Sequence, residues 1–125
     1  MYSVAVSRTF VAQHYLTVPD PGPEGELHSH TFTVEATVRG PELDEYGYLV
    51  DIDELTAATD ATAGSFRDET LNDLPVFAGQ NPSAERLGRA FADRLLEHLR
   101  PETATELAVT VREDDVATVG YRTQV

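Results

Sequence analysis

The chain has 125 residues, with 22 acidic side chains against nine arginines, no lysine, no cysteine, no tryptophan and a formal net charge of -13. That length is one domain, residues 1–125, able to bury a core without staples, and zero cysteines exclude disulfides, thiolate metal sites, redox pairs and a cysteine nucleophile. Dispersed arginines in so negative a field exclude a nucleic-acid backbone as partner, and residues 1–15 hold no apolar run of a signal peptide or membrane span, so a cytoplasmic protein is expected.

Tyr2, Val4, Val6, Phe10 and Ala12 alternate with mostly polar neighbours and predict a half-buried strand. The stretch Pro19 to Gly25 holds three prolines and two glycines in seven residues and reads as a loop. Phe32, Val34, Ala36 and Val38 repeat the alternation in a second strand, which Gly40 and Pro41 end. Tyr48 to Ile52 predicts a short extended segment leading into Asp53. From Asp53 to about Ala63, Leu55, Ala58 and Thr62 mark one side of a first helix. A second helix is capped by Ser83, carries the stripe Leu87, Ala90, Phe91, Leu95 and Leu99, and stops before Pro101. Leu107, Val109 and Val111 form a third strand, and Ala117, Val119 and Tyr121 a fourth. The order β-β-α-α-β-β predicts an α+β domain, a four-stranded antiparallel sheet with two helices on one face.

Three of the four histidines lie at one end of this layout: His14 closes the first strand, and His28 and His30 open the second. Residues i and i+2 of a strand face the same side, so His28 and His30 present imidazoles roughly 6.5–7 Å apart along the backbone, able to converge on one ion. His14 can supply a third. Three neutral imidazoles with an open fourth position are the ligand set of catalytic zinc. The other reading of the same residues is inward polar groups satisfied by backbone carbonyls, since all three fall in step with the apolar positions of their strands. His98, in the last turn of the second helix, fits a charge–dipole contact.

Phe10, Ala12 and His14; His28, Ser29 and His30; Val50, Asp51 and Leu55; Leu71 and Asn72; Asn81, Pro82, Ser83 and Glu85; and Glu113 eight residues before Tyr121 together resemble the 6-pyruvoyl and 6-carboxytetrahydropterin synthases. The resemblance spans nearly the whole chain. It implies a tunnelling fold whose trimer closes twelve strands into a barrel, with two trimers stacked as a homohexamer and active sites at subunit interfaces. It also implies Zn2+ on His14, His28 and His30, and Glu113 as the substrate-binding anchor of a small-molecule pterin. A carboxylate can accept two parallel hydrogen bonds from the 2-amino group and adjacent ring N–H. Taken without the family, Glu113 reads as an acid in a solvated turn beside Asp114 and Asp115.

This chain departs from the family pattern where the chemistry is done. Glu24 stands where the family has its catalytic cysteine, and Arg67 and Asp68 stand where it has Asp-His. Glu24 is therefore the first candidate for the catalytic base, Glu26 the second, and Asp68 a candidate proton carrier. The resemblance implies a zinc-dependent lyase acting on the side chain of 7,8-dihydroneopterin or its triphosphate. The alternatives are aldolase-type cleavage to 6-hydroxymethyldihydropterin, as in glutamate-bearing relatives, and a zinc-bearing pterin-binding module without efficient catalysis. Arg8, Arg67 and Arg122 are the few candidates to offset a triphosphate. The acid excess itself fits a salt-rich cytoplasm, where a Debye length of ~3 Å at ~1 M quenches self-repulsion; a high-GC genome accounts equally for the missing lysine.

Overall fold

The computed structural model describes residues 1–125. Apolar side chains at every second position build a long hairpin, in which β1 (Tyr2–His14) runs antiparallel to β2 (His28–Gly40). Their register is unbroken from Tyr2 opposite Gly40 to His14 opposite His28. With no residue inserted, the period of two carries from the core to the histidines. β3 (Glu106–Glu113) and β4 (Ala117–Gln124) complete an antiparallel sheet in the order β1-β2-β3-β4.

One face of this sheet is apolar. Phe10, Phe32, Val34, Val38, Leu107, Val109 and Val111 are buried there, whereas Ser3, Ser7, Thr9 and Thr31 on the opposite face are exposed. Both helices cover the apolar face. In α2 (Ala84–His98) the Ser83 hydroxyl accepts from the Arg86 N–H at 3.2 Å, satisfying one of the free donors of the first turn. Phe91, on its inner stripe, stacks between Phe10 and Phe66, with ring centroids 6.4 and 5.9 Å away.

The first helix starts earlier than the sequence pattern suggests. α1 spans Ile52–Gly64, because the Asp51 carboxylate accepts from the N–H groups of Asp53 and Glu54 and caps it there. The expected extended segment from Tyr48 to Ile52 is consequently no strand. Asp44 Oδ1 accepts from the N–H groups of Tyr46 and Tyr48, which folds the approach into a turn, and Leu49 and Val50 are buried in the core. Alternation over so few residues loses to a side chain that offers the backbone local acceptors. α1 also buries Thr59 and Thr62, whose hydroxyls donate to the carbonyls of Leu55 and Ala58 at 2.7 and 2.8 Å. That bond inside the helix lets a polar side chain enter the core without an unpaired group.

Three short 3-10 turns, Gly22–Gly25, Leu71–Asp73 and Pro75–Phe77, lie in the connections. No helix is long and apolar enough to cross a membrane. β1 and β4 each leave one edge of the sheet unpaired by another strand, and β4 is exposed or half-buried along its whole length.

Candidate metal centre and substrate cavity

The β1–β2 register sets His14 directly opposite His28, with His30 on the diagonal beside Ala12. All three side chains leave the sheet on its helix-covered face, in step with Phe10 and Phe32. Their rings form a triangle with centroids 4.6, 4.7 and 5.0 Å apart and planes 68–89° to one another. One nitrogen from each ring lies within 4.8 Å of the other two. Phe32 closes the floor beneath, its ring 6.2 Å from His14 and 5.7 Å from His30.

Each Nδ1 faces an oxygen. His14 meets the Pro82 carbonyl at 2.8 Å, His28 the Glu26 carbonyl at 2.7 Å, and His30 the Asp114 carboxylate. Carbonyls and carboxylates only accept, so each Nδ1 donates and each neutral ring keeps its lone pair on Nε2. The Nε2 of His28 is buried with no hydrogen-bond partner. A buried acceptor left unpaired costs about 1–3 kcal/mol, and an ion shared by the three rings removes that cost. The backbone carbonyls therefore do satisfy two of these histidines, but only on the Nδ1 side, which is how metal-binding imidazoles are held in place.

Charge follows the same logic. Burial lowers the His14 pKa below the ordinary histidine value, against the opposing pull of its bond to Pro82, and neighbouring His28 and His30 push it down further. The neutral imidazole that a metal requires thus persists to lower pH than in an exposed histidine. Asp114 is held below the usual carboxylate range, first by its bond from His30 and then by the Thr31 N–H.

A cavity of about 220 Å³ opens over the histidines and is lined by His14, His30, Glu24, Glu85, Glu113 and Ser83, among others. Glu24 and Glu113 thus reach the same space, and Glu113 Oε1 lies 3.6 Å from His30 Nε2. Glu26 does not line it: its backbone carbonyl, rather than its carboxylate, serves the site by holding His28. Asp68 is also outside, on the outer edge of β1, where its N–H donates to the Val11 carbonyl at 2.7 Å. None of the three arginines suggested by the sequence lines the cavity. Arg8 pairs with Asp60, and Arg122 lies 3.9 Å from Glu106. A larger hollow of about 400 Å³ beside α2 and Val76 contains no histidine and lies away from this chemistry.

Several residues that serve the site were named in the sequence only as parts of motifs. Asn72 accepts from the Tyr15 N–H at 3.0 Å and donates to the Tyr15 carbonyl at 2.9 Å, and Asn81 Oδ1 accepts from the Thr17 N–H at 2.9 Å. Together they pin the chain just past His14. Glu85 enters the cavity from the first turn of α2, and Asp114 reaches His30 from the β3–β4 turn.

Comparison with known proteins agrees with this picture. The family model described as 6-pyruvoyl tetrahydropterin synthase matches residues 3–124. The 6-carboxy-5,6,7,8-tetrahydropterin synthase of Bacillus subtilis (strain 168) is 29% identical over 117 residues, covering 89% of this chain and 78% of that protein. A probable 6-carboxy-5,6,7,8-tetrahydropterin synthase of Halobacterium salinarum is 30% identical over 105 residues, 74% of this chain and 69% of that one. Among solved structures, the 6-pyruvoyl tetrahydropterin synthase of Plasmodium vivax shares the fold with a TM-score of 0.85 at 15% identity, covering 99% of this chain and 98% of that chain. The Caenorhabditis elegans enzyme does so with a TM-score of 0.81 at 19% identity, covering 98% and 97%. A sheet of this order, a triad of histidines where its longest hairpin ends and a family match across nearly every residue lead to one conclusion: the chain belongs to the 6-pyruvoyl tetrahydropterin synthase family and has its tunnelling fold.

Proposed function

We propose that this protein is a zinc-dependent lyase acting on the side chain of a 7,8-dihydroneopterin, with His14, His28 and His30 as metal ligands, Glu113 as ring anchor and Glu24 as base. The observation that carries this reading is the convergence of three imidazoles, each tied at Nδ1, beside a cavity that His14 and His30 line together with both glutamates. Zinc bound there would polarise the side-chain hydroxyls and stabilise developing negative charge.

The rest falls to the protein. Glu113 accepts the paired hydrogen bonds of the 2-amino group and ring N–H, which orients the side chain toward the histidines. Glu24 takes the proton from the carbon or hydroxyl so presented. A glutamate is likewise named as a catalytic residue in the 6-pyruvoyltetrahydropterin synthase of Plasmodium vivax.

Cleavage to 6-hydroxymethyldihydropterin is the second reading, and the cavity lining favours it over elimination of triphosphate. Three glutamates and no arginine line the space, so one chain offers nothing to offset a polyanionic tail. The zinc-loaded protein is to be incubated with 7,8-dihydroneopterin and with its triphosphate, and the pterins separated by chromatography. Conversion of the unphosphorylated substrate is expected, with the product identifying the reaction. Binding of both without turnover of either would leave a pterin-binding module and end the enzyme reading.

The assembly proposed is a homohexamer of two stacked trimers. It is supported by two outer strands, β1 and β4, that no further strand of this chain pairs and by a cavity smaller than the ~300–1,000 Å³ of ordinary small-molecule sites. Asp68, on the β1 edge, enters the scheme only as a proton carrier for a neighbouring copy. Native mass spectrometry should show six chains; a monomer that still turns substrate over would remove both the assembly and any role for Asp68.

A further inference from the structure

We propose that Asp114 is a positioning residue for the metal centre, holding the His30 ring by its Nδ1–H and making metal affinity depend on the β3–β4 turn that follows Glu113. The proposal rests on His14, His28 and His30 being metal ligands. It adds a residue that the sequence pattern presents as one more acid in a solvated turn.

The three histidines are not held alike. His14 and His28 lean on neutral backbone carbonyls, whereas His30 alone donates to a carboxylate. A hydrogen bond to an ionised acceptor is roughly twice as strong as a neutral one. It also raises the basicity of the far ring nitrogen, the one a metal would use.

Both oxygens of Asp114 are committed. Oδ2 takes the His30 Nδ1–H, and Oδ1 takes the N–H of Thr31 at 2.8 Å, so the carboxylate spans the ring and the next backbone amide of β2. The Asp114 N–H returns a bond to the Thr31 carbonyl at 2.9 Å. Asp114 and Asp115 sit in the left-handed region at φ 51° and 59°, which short polar residues tolerate. Asp115 takes no part in the clamp and pairs with Arg112 at 3.0 Å in solvent. The role thus belongs to one carboxylate and not to the acidity of the turn.

Asparagine is the informative replacement, because it has one acceptor oxygen for two donors. Whichever way its amide turns, Thr31 N–H or His30 Nδ1–H faces an NH2 group. Metal-free wild type, Asp114→Asn and Asp115→Asn are titrated with Zn2+ against a chromophoric chelator and with Co2+ by visible absorption. Asp114→Asn should weaken Zn2+ binding by ~10–100-fold and shift the Co2+ ligand-field bands, while Asp115→Asn matches wild type. If Asp114→Asn only melts earlier without metal, and its Zn2+ affinity and Co2+ spectrum are those of wild type, Asp114 is a turn clamp and the proposal fails.

Nitrogen NMR of the metal-free wild type gives a check that needs no variant. His30 should be the Nδ1–H tautomer, and an Nε2–H tautomer would overturn the assignment. A wild type that takes up neither metal removes the ligand set itself, and with it this proposal. That result is distinct from tight binding unaffected by Asp114→Asn.

Discussion

Glu24→Gln is expected to lower turnover of the pterin by about 10²–10⁴-fold, the range over which a positioned acid or base contributes. Zinc content and pterin binding should stay at the wild-type level. Glu24 lies in the 3-10 turn Gly22–Gly25, and its carbonyl accepts from the Leu16 N–H at 2.9 Å, which ties the turn to the end of β1. Pro21 and Pro23 restrict φ on either side of Gly22, and Gly25 lies so close to Pro21 that an added Cβ would meet Pro21 Cγ at 2.6 Å. Glutamine keeps the length of the side chain and one acceptor oxygen but cannot take a proton. Glu26→Gln is the control, because Glu26 contributes a carbonyl that the change leaves in place. Equal turnover in Glu24→Gln and wild type would remove Glu24 as the base.

His28→Ala should abolish tight zinc binding, a larger loss than the ~10–100-fold that removal of an outer partner costs. Thermal melting with and without Zn2+ reads it directly. A site filled at ~100 Kd stabilises the folded state by about 2.7 kcal/mol, which for a chain of this size is roughly 10 °C in Tm. Wild type should show that rise and His28→Ala should not. Without metal the order changes. The His28 Nε2 is buried and unpaired, so its removal relieves a cost that partly offsets the lost packing, and the two metal-free proteins should melt close together. A zinc-induced rise in His28→Ala as large as in wild type would discard the ligand set.

Much of this architecture follows from local rules. Period-two alternation places β1 and β2, and the same parity that turns Phe10 and Phe32 inward turns His14, His28 and His30 inward with them. The stripe of α2 and its Ser83 cap are equally local. The absence of cysteine is visible from composition alone, and the family resemblance is what turns it into a statement about Glu24.

Partners far apart in the chain were beyond such rules. His30 and Asp114 are 84 residues apart, and His14 and Pro82 are 68 apart. Only the paired sheet and the docked helix bring them together. Tertiary packing likewise left Glu26 and Asp68 outside the cavity lining and drew Glu85 into it. The sequence by itself determined which faces are apolar, because burial follows a period that neighbouring residues alone establish. The folded chain decided which side chain holds which, because a hydrogen bond depends on distances of a few tenths of an ångström between groups that only strand register and packing set.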